Sequence, residues 1–140
     1  MPMINRIILT FFVFLNSILF ASNYGGFSIT RIQYRGGGDW YSDQSSIPNL
    51  LEFIDKNTNI VVDLVEKKAK IGDDVFMSST FLYLTGHGNI KFSGQEALTL
   101  REHILAGSFL HADDNYGMDQ SFRREMKKVF PEKNWVELPF

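Results

Sequence analysis

No cysteine occurs in the 140 residues, which excludes a disulfide framework, a thiol nucleophile and a thiolate metal site. Stability must come from packing. A basic block is missing too: 14 Lys and Arg stand against 16 Asp and Glu, dispersed along the chain, so neither a nucleic-acid groove nor a polybasic membrane patch is encoded. Internal repeats and low-complexity tracts are absent. The one long apolar run is confined to the N-terminal end. There Arg6 supplies a basic start, Ile7 to Phe20 an apolar stretch, and Leu19-Phe20-Ala21 a cleavage site, so a signal peptide over residues 1–21 and a mature start near Ser22 are expected. Asn16 and Ser17 interrupt the run, which is short of the roughly 20 apolar residues a span needs, leaving a retained anchor as the alternative and the only expected tie to a membrane. Either outcome takes the domain out of the cytoplasm, to the periplasm or beyond.

Residues 22–140 match the usual size of one domain, about 100–150 residues. Phe27 to Tyr34 alternates imperfectly and is rich in β-formers, which predicts a first strand. Ser45-Ser46-Ile47-Pro48 has the composition of a helix entrance, and Ile47, Leu50, Leu51 and Ile54 form an apolar stripe that ends near Lys56. Ile60 to Val65 predicts a second strand, and residues 66–79 a linker with one helical turn. Phe81 to Thr85 is apolar on both faces, as buried parallel strands are. Ser93 followed three residues later by Glu96 is a capping box, and the helix it opens stops at Gly107. Ser108 to Ala112 gives a fourth strand, and Met118, Phe122, Met126 and Val129 mark a last helix closed by Pro131. Trp135 to Leu138 predicts a fifth strand.

This alternation implies an α/β fold of three layers, a mostly parallel sheet with helices on both faces in the flavodoxin-like order 2-1-3-4-5. In such a sheet ligands bind outside the carboxyl ends of the strands. The loops expected there carry Arg35-Gly36-Gly37-Gly38-Asp39-Trp40, Gly86-His87-Gly88 and Asp113-Asp114, with Tyr116 just beyond. His87, flanked by glycines, is suited to acid–base work or metal ligation. Adjacent aspartates in an extended segment point opposite ways, so one of Asp113 and Asp114 should face the cleft with His87 while the other caps the next helix. Asp39 is a further candidate carboxylate or a turn-former, Arg35 a group to hold an acidic ligand or pair with Asp39, and Trp40-Tyr41 a pocket wall or a cover for the core. The three glycines after Arg35 could cradle an anion or simply give a tight strand exit. His111 is expected buried in its strand, His103 at the surface, and Arg123-Arg124 with Lys127-Lys128 on a solvated helix face. Whether a metal or cofactor binds is left open by two or three ligands of this kind.

Arg35 to Tyr41, Leu84-Thr85-Gly86-His87-Gly88 and Ala112-Asp113-Asp114, in this order, resemble the domain-of-unknown-function family forty-one fifty-nine, over nearly all of the mature chain. The resemblance implies a class I glutamine-amidotransferase-like fold. In those relatives a cysteine nucleophile sits on an elbow roughly where Ala112-Asp113-Asp114-Asn115 stands, and no cysteine is present here. Members of the family usually continue past the position matching Phe140, which implies a shortened C-terminus. Three functions follow as expectations: binding of a small polar ligand or an envelope protein partner, hydrolysis using His87 with Asp113 or Asp114, with or without a metal-bound water, or a structural role in an envelope complex.

Overall fold

The computed structural model describes residues 25–139, so the expected signal segment lies outside the described residues. Four strands, β1 (Thr30–Ile32), β2 (Lys67–Ala69), β3 (Phe81–His87) and β4 (Phe109–Tyr116), form one sheet in the order β2-β1-β3-β4, and every pairing is parallel. Helices α1 (Ser46–Asn57), α2 (Asp74–Met77), α3 (Gly94–Leu105) and α4 (Asp119–Val129) connect and cover them. None of the described helices is long and apolar enough to cross a membrane.

The layers follow from strand alternation. Ile32, Leu82, Leu84, Leu110 and Ala112 face α2, α3 and α4 and build the larger core with Phe76, Ala97, Leu100, Met118 and Val129. On the other face Ile29 and Tyr83 meet Ile47 and Leu51 of α1. Helix α1 thus covers the middle of the sheet, and on β4 Phe109, His111 and Asp113 are left exposed beside it. The capping box at Ser93 and Glu96 forms as expected, and Gly107, with φ of 111°, ends α3.

Several expected elements move. The second strand lies at Lys67–Ala69, while Ile60, Val61, Leu64 and Val65 are exposed and only Val62 bridges to Phe27. A buried charge explains the displacement. Arg31, 1% exposed, sits on β1 and needs Glu66 beside it; an unpaired buried guanidinium would cost more than leaving part of an aliphatic run in water. The ladder of β1 is shorter than Phe27–Tyr34, although isolated bridges at Phe27 and Arg35 extend its path. Strand β4 runs four residues past Ala112, so Asp113 and Asp114 lie in the strand rather than a loop. No fifth strand is found among the described residues. Trp135 packs instead on Phe122 of α4, ring centroids 5.7 Å apart, and under the Arg123 guanidinium.

Candidate functional site

The glycine-rich segment after β1 and the segment after β3 run side by side. Arg35 bridges antiparallel to Lys91, Gly38 N–H donates to Asn89 O at 3.0 Å, and Asn89 Nδ2 donates to Gly36 O at 2.9 Å. Gly36 is needed because its φ is 119° and a Cβ there would lie 2.7 Å from Asn89 O. The same holds at Gly86, with φ of 142° and a would-be Cβ 2.3 Å from the Tyr34 hydroxyl. Two of these glycines, then, serve close backbone packing. The amide of Gly38 is spent within the ribbon.

This packing sets Asp39 against His87. One carboxylate oxygen, Oδ1, accepts the backbone N–H of His87, and Oδ2 lies 3.0 Å from His87 Nδ1. The backbone N–H of His87 is the largest cause holding the Asp39 carboxyl below its usual range; burial opposes it, and the imidazole adds to the lowering. With Nδ1 engaged, Nε2 has no hydrogen-bond partner among the described residues, on a side chain 52% exposed. Behind the pair, Tyr34 donates to Thr85 O at 3.1 Å, and burial together with the Asp39 charge pushes its hydroxyl up to about 12, so it remains a donor.

The expected partners of His87 are employed elsewhere. Asp113 accepts from the Tyr83 hydroxyl at 2.8 Å; burial and this bond raise the Tyr83 pKa. Asp114 accepts the N–H groups of Met118 and Asp119 at 2.9 and 3.0 Å, closing the start of α4. One aspartate does cap the next helix, as adjacent positions in an extended segment require. The catalytic pairing of His87 with either aspartate is replaced by pairing with Asp39. Tyr116, 82% exposed, is the register neighbour of His87 across a bulge in the β3–β4 ladder. Arg35 is exposed and pairs with Glu96 at 3.4 Å rather than with Asp39. Trp40 packs against the larger core and meets Tyr41 edge-on at 5.6 Å; Gly88 turns the chain away from His87 with φ of 83°. His111 is exposed and stacks on Tyr83 at 5.6 Å, which corrects its expected burial: α1 does not reach over β4. His103, half-buried, sits by Ser79 O at 2.7 Å. No group of three or more His, Asp or Glu side chains suited to a metal ion occurs among the described residues.

Two supports were not anticipated. Arg31 spends all its N–H donors: Nε on Glu66, Nη1 on the carbonyls of Trp40 and Ser42, Nη2 on Asp43 O and Ser46 Oγ. It thereby rivets the loop following Asp39, where Asp43 takes a φ of 50° and accepts from Asn115 of β4. The signal in the sequence was the phase slip between Ile29 and Ile32, which puts a cation on the Ile29 face. The second support is α4. Ser121 accepts from Ile90 N–H at 3.0 Å, Glu125 from Phe92 N–H at 2.8 Å, and Arg124 donates to Ile90 O at 2.8 Å and Asn89 Oδ1 at 2.9 Å. Arg124 and Lys128, expected to be merely solvated, are thus clamps on the segment behind His87, and only their outer parts meet water.

Comparison with known families finds a match to the family described as "Domain of unknown function (DUF4159)" over residues 28–140. Among curated proteins there is no match.

Proposed function

The chain belongs to this DUF4159 family, and from that premise we propose that it is an exported domain that binds a small polar ligand at the carboxyl edge of its sheet, with His87 as the contacting group. One observation carries the reading: Asp39 takes Nδ1 and the backbone N–H of the same histidine, which fixes the ring and leaves Nε2 free at the surface. A ligand contact needs an unpartnered nitrogen held in place, and the ring is not left to find its direction after binding. Here the surroundings are preorganised by the interlocked glycine segments, by Tyr34 behind them and by Arg31 under the following loop. A ligand offering a hydroxyl, carboxylate or phosphate oxygen would meet one imidazole nitrogen of fixed direction, at a low entropic cost.

The same geometry supports a second reading, hydrolysis in which the Asp39–His87 pair acts as base and orienter toward a water molecule. No cysteine participates in either. Thermal unfolding in the presence of separate small carboxylates, phosphate and monosaccharides tests the proposal. A ligand at a hundred times its Kd should stabilise the wild type by about 2.7 kcal/mol, and His87→Ala should abolish that gain. If every stabilising compound acts equally on the wild type and His87→Ala, the site is elsewhere. Turnover of such a ligand, lost in both His87→Ala and Asp39→Asn, would favour the hydrolytic reading.

A further inference from the structure

Strand β4 is the last strand of the sheet, and among the described residues nothing pairs with its outer edge. It is eight residues long and contains no proline and no lysine, two of the devices that blunt a free edge; its charges are Asp113 and Asp114, and its bulge lies beyond the regular part of the ladder. The edge has a definite polarity. Phe109 N–H donates to Thr80 O at 2.8 Å, toward β3, so by alternation the amides and carbonyls of Phe109, His111 and Asp113 are spent inward. Those of Leu110, Ala112 and Asp114 point outward. The ladder is regular up to Gly86↔Asp114, so this outward set is a straight five-residue template.

We propose that this edge joins the same edge of a second copy of the chain, antiparallel, with the two-fold axis at Ala112, to give one continuous eight-stranded sheet. An isologous edge contact must pair outward residues with outward residues, which restricts the axis to single-residue steps along the strand. Charge then chooses among them. An axis at Leu110 would pair Phe109 with His111 and set Asp113 opposite Gly107 with no charged partner, one at His111 would oppose His111 to its own copy and Phe109 to Asp113, and one at Asp113 would oppose two aspartates. With the axis at Ala112, Leu110 pairs with Asp114, Ala112 with itself, and each His111 faces Asp113 of the other copy in a pair without backbone bonds, where Cα atoms approach to about 4.5 Å. Both side chains are exposed and on the face that α1 leaves open. The acceptor is already oriented, because Tyr83 donates to Asp113 Oδ2 and stacks on His111. Asp114 is no obstacle, since its side chain turns to the start of α4. Beneath the edge, a groove of about 400 Å³ lined by Leu110, Phe122, Met126 and Trp135 would become continuous between the two copies.

The absence of native cysteine makes the test direct. In the purified protein, an equimolar mixture of His111→Cys and Asp113→Cys chains should oxidise to a disulfide-linked dimer, because in a pair without backbone bonds the Cα atoms approach to about 4.5 Å, within the bridging range of about 4.4–6.8 Å, and neither variant alone should cross-link. Tyr116→Cys, far from its own copy in this register, should not either. Sedimentation equilibrium should show a wild-type dimer, a dissociation constant at least tenfold weaker for Asp113→Lys, and recovery in His111→Glu with Asp113→Lys, a swap that restores opposite charges only about Ala112. A wild-type chain that sediments as a monomer overturns the proposal, and so does a dimer in which the mixed His111→Cys and Asp113→Cys chains fail to cross-link. Failure of the charge swap to recover association overturns the register.

Discussion

Glu125 offers the sharpest energetic test of how the site is held. Its side chain is 1% exposed on α4; Oε2 accepts Phe92 N–H at 2.8 Å and Lys128 Nζ at 2.6 Å, and Oε1 accepts Arg124 Nε at 2.8 Å. Burial pushes the carboxyl pKa up, but the three donors, Lys128, Phe92 N–H and Arg124, outweigh it and leave the group below its ordinary 4.5. In Glu125→Gln one amide oxygen can still accept from Phe92, as a neutral acceptor, at a loss of about 1 kcal/mol. The two cations are 52% and 44% exposed, so each lost ion pair is discounted to about 0.5 kcal/mol. The expected cost is therefore about 2 kcal/mol near pH 7. Glu125→Ala strands the buried Phe92 N–H as well and should cost about 3 kcal/mol. The pH dependence has a definite sign. A depressed folded pKa gives stability that is complete above the unfolded value of 4.5 and is lost as pH falls through the folded value. Urea unfolding of the wild type and Glu125→Gln should show a gap that is constant above that value and closes in acid. A gap under about 0.5 kcal/mol near neutrality, or one that persists unchanged in acid, would refute the clamp.

Other outcomes follow from the same contacts. Ser93→Ala should lose about 0.5–2 kcal/mol in denaturant unfolding, because the Ser93 hydroxyl accepts Glu96 N–H at 3.1 Å; no loss would mean the box is not formed in solution. Asp114→Asn should cost about 1 kcal/mol by weakening the closure of α4, whereas Asp113→Asn, which can still accept from Tyr83, should stay within about 0.5 kcal/mol. Equal losses would contradict the division of labour between them. Arg31→Met should cost on the order of 3 kcal/mol, since Glu66, 7% exposed, loses its buried counter-charge. Carboxyl titration by NMR should find Asp39 still depressed in His87→Ala, because the backbone N–H of residue 87 is the larger cause; full return to the ordinary value would assign the effect to the ring.

The local sequence determined the parts whose causes lie within a few residues. The capping box at Ser93, the apolar stripe of α4, the stop at Gly107 and the alternation that demands a parallel sheet are all short-range patterns, and each appears where expected, whereas the stripe of α1 holds at Ile47 and Leu51 but leaves Leu50 exposed. Short-range too is the rule that Asp113 and Asp114 cannot share a task. It also brought His87 and Asp39 to one edge of the sheet, since strand direction alone decides which loops meet there. Which carboxylate reached the histidine was decided only in three dimensions. Asp39 is 48 residues away along the chain, and the pairing depends on Gly36, Gly38 and Gly86 letting two segments lie backbone to backbone. The position of β2 was decided in the same way, by a buried Arg31 whose requirement for Glu66 outweighs the hydrophobic pull of Ile60 to Val65. A run of apolar residues announces a strand; it cannot announce a guanidinium across the sheet that needs a counter-charge.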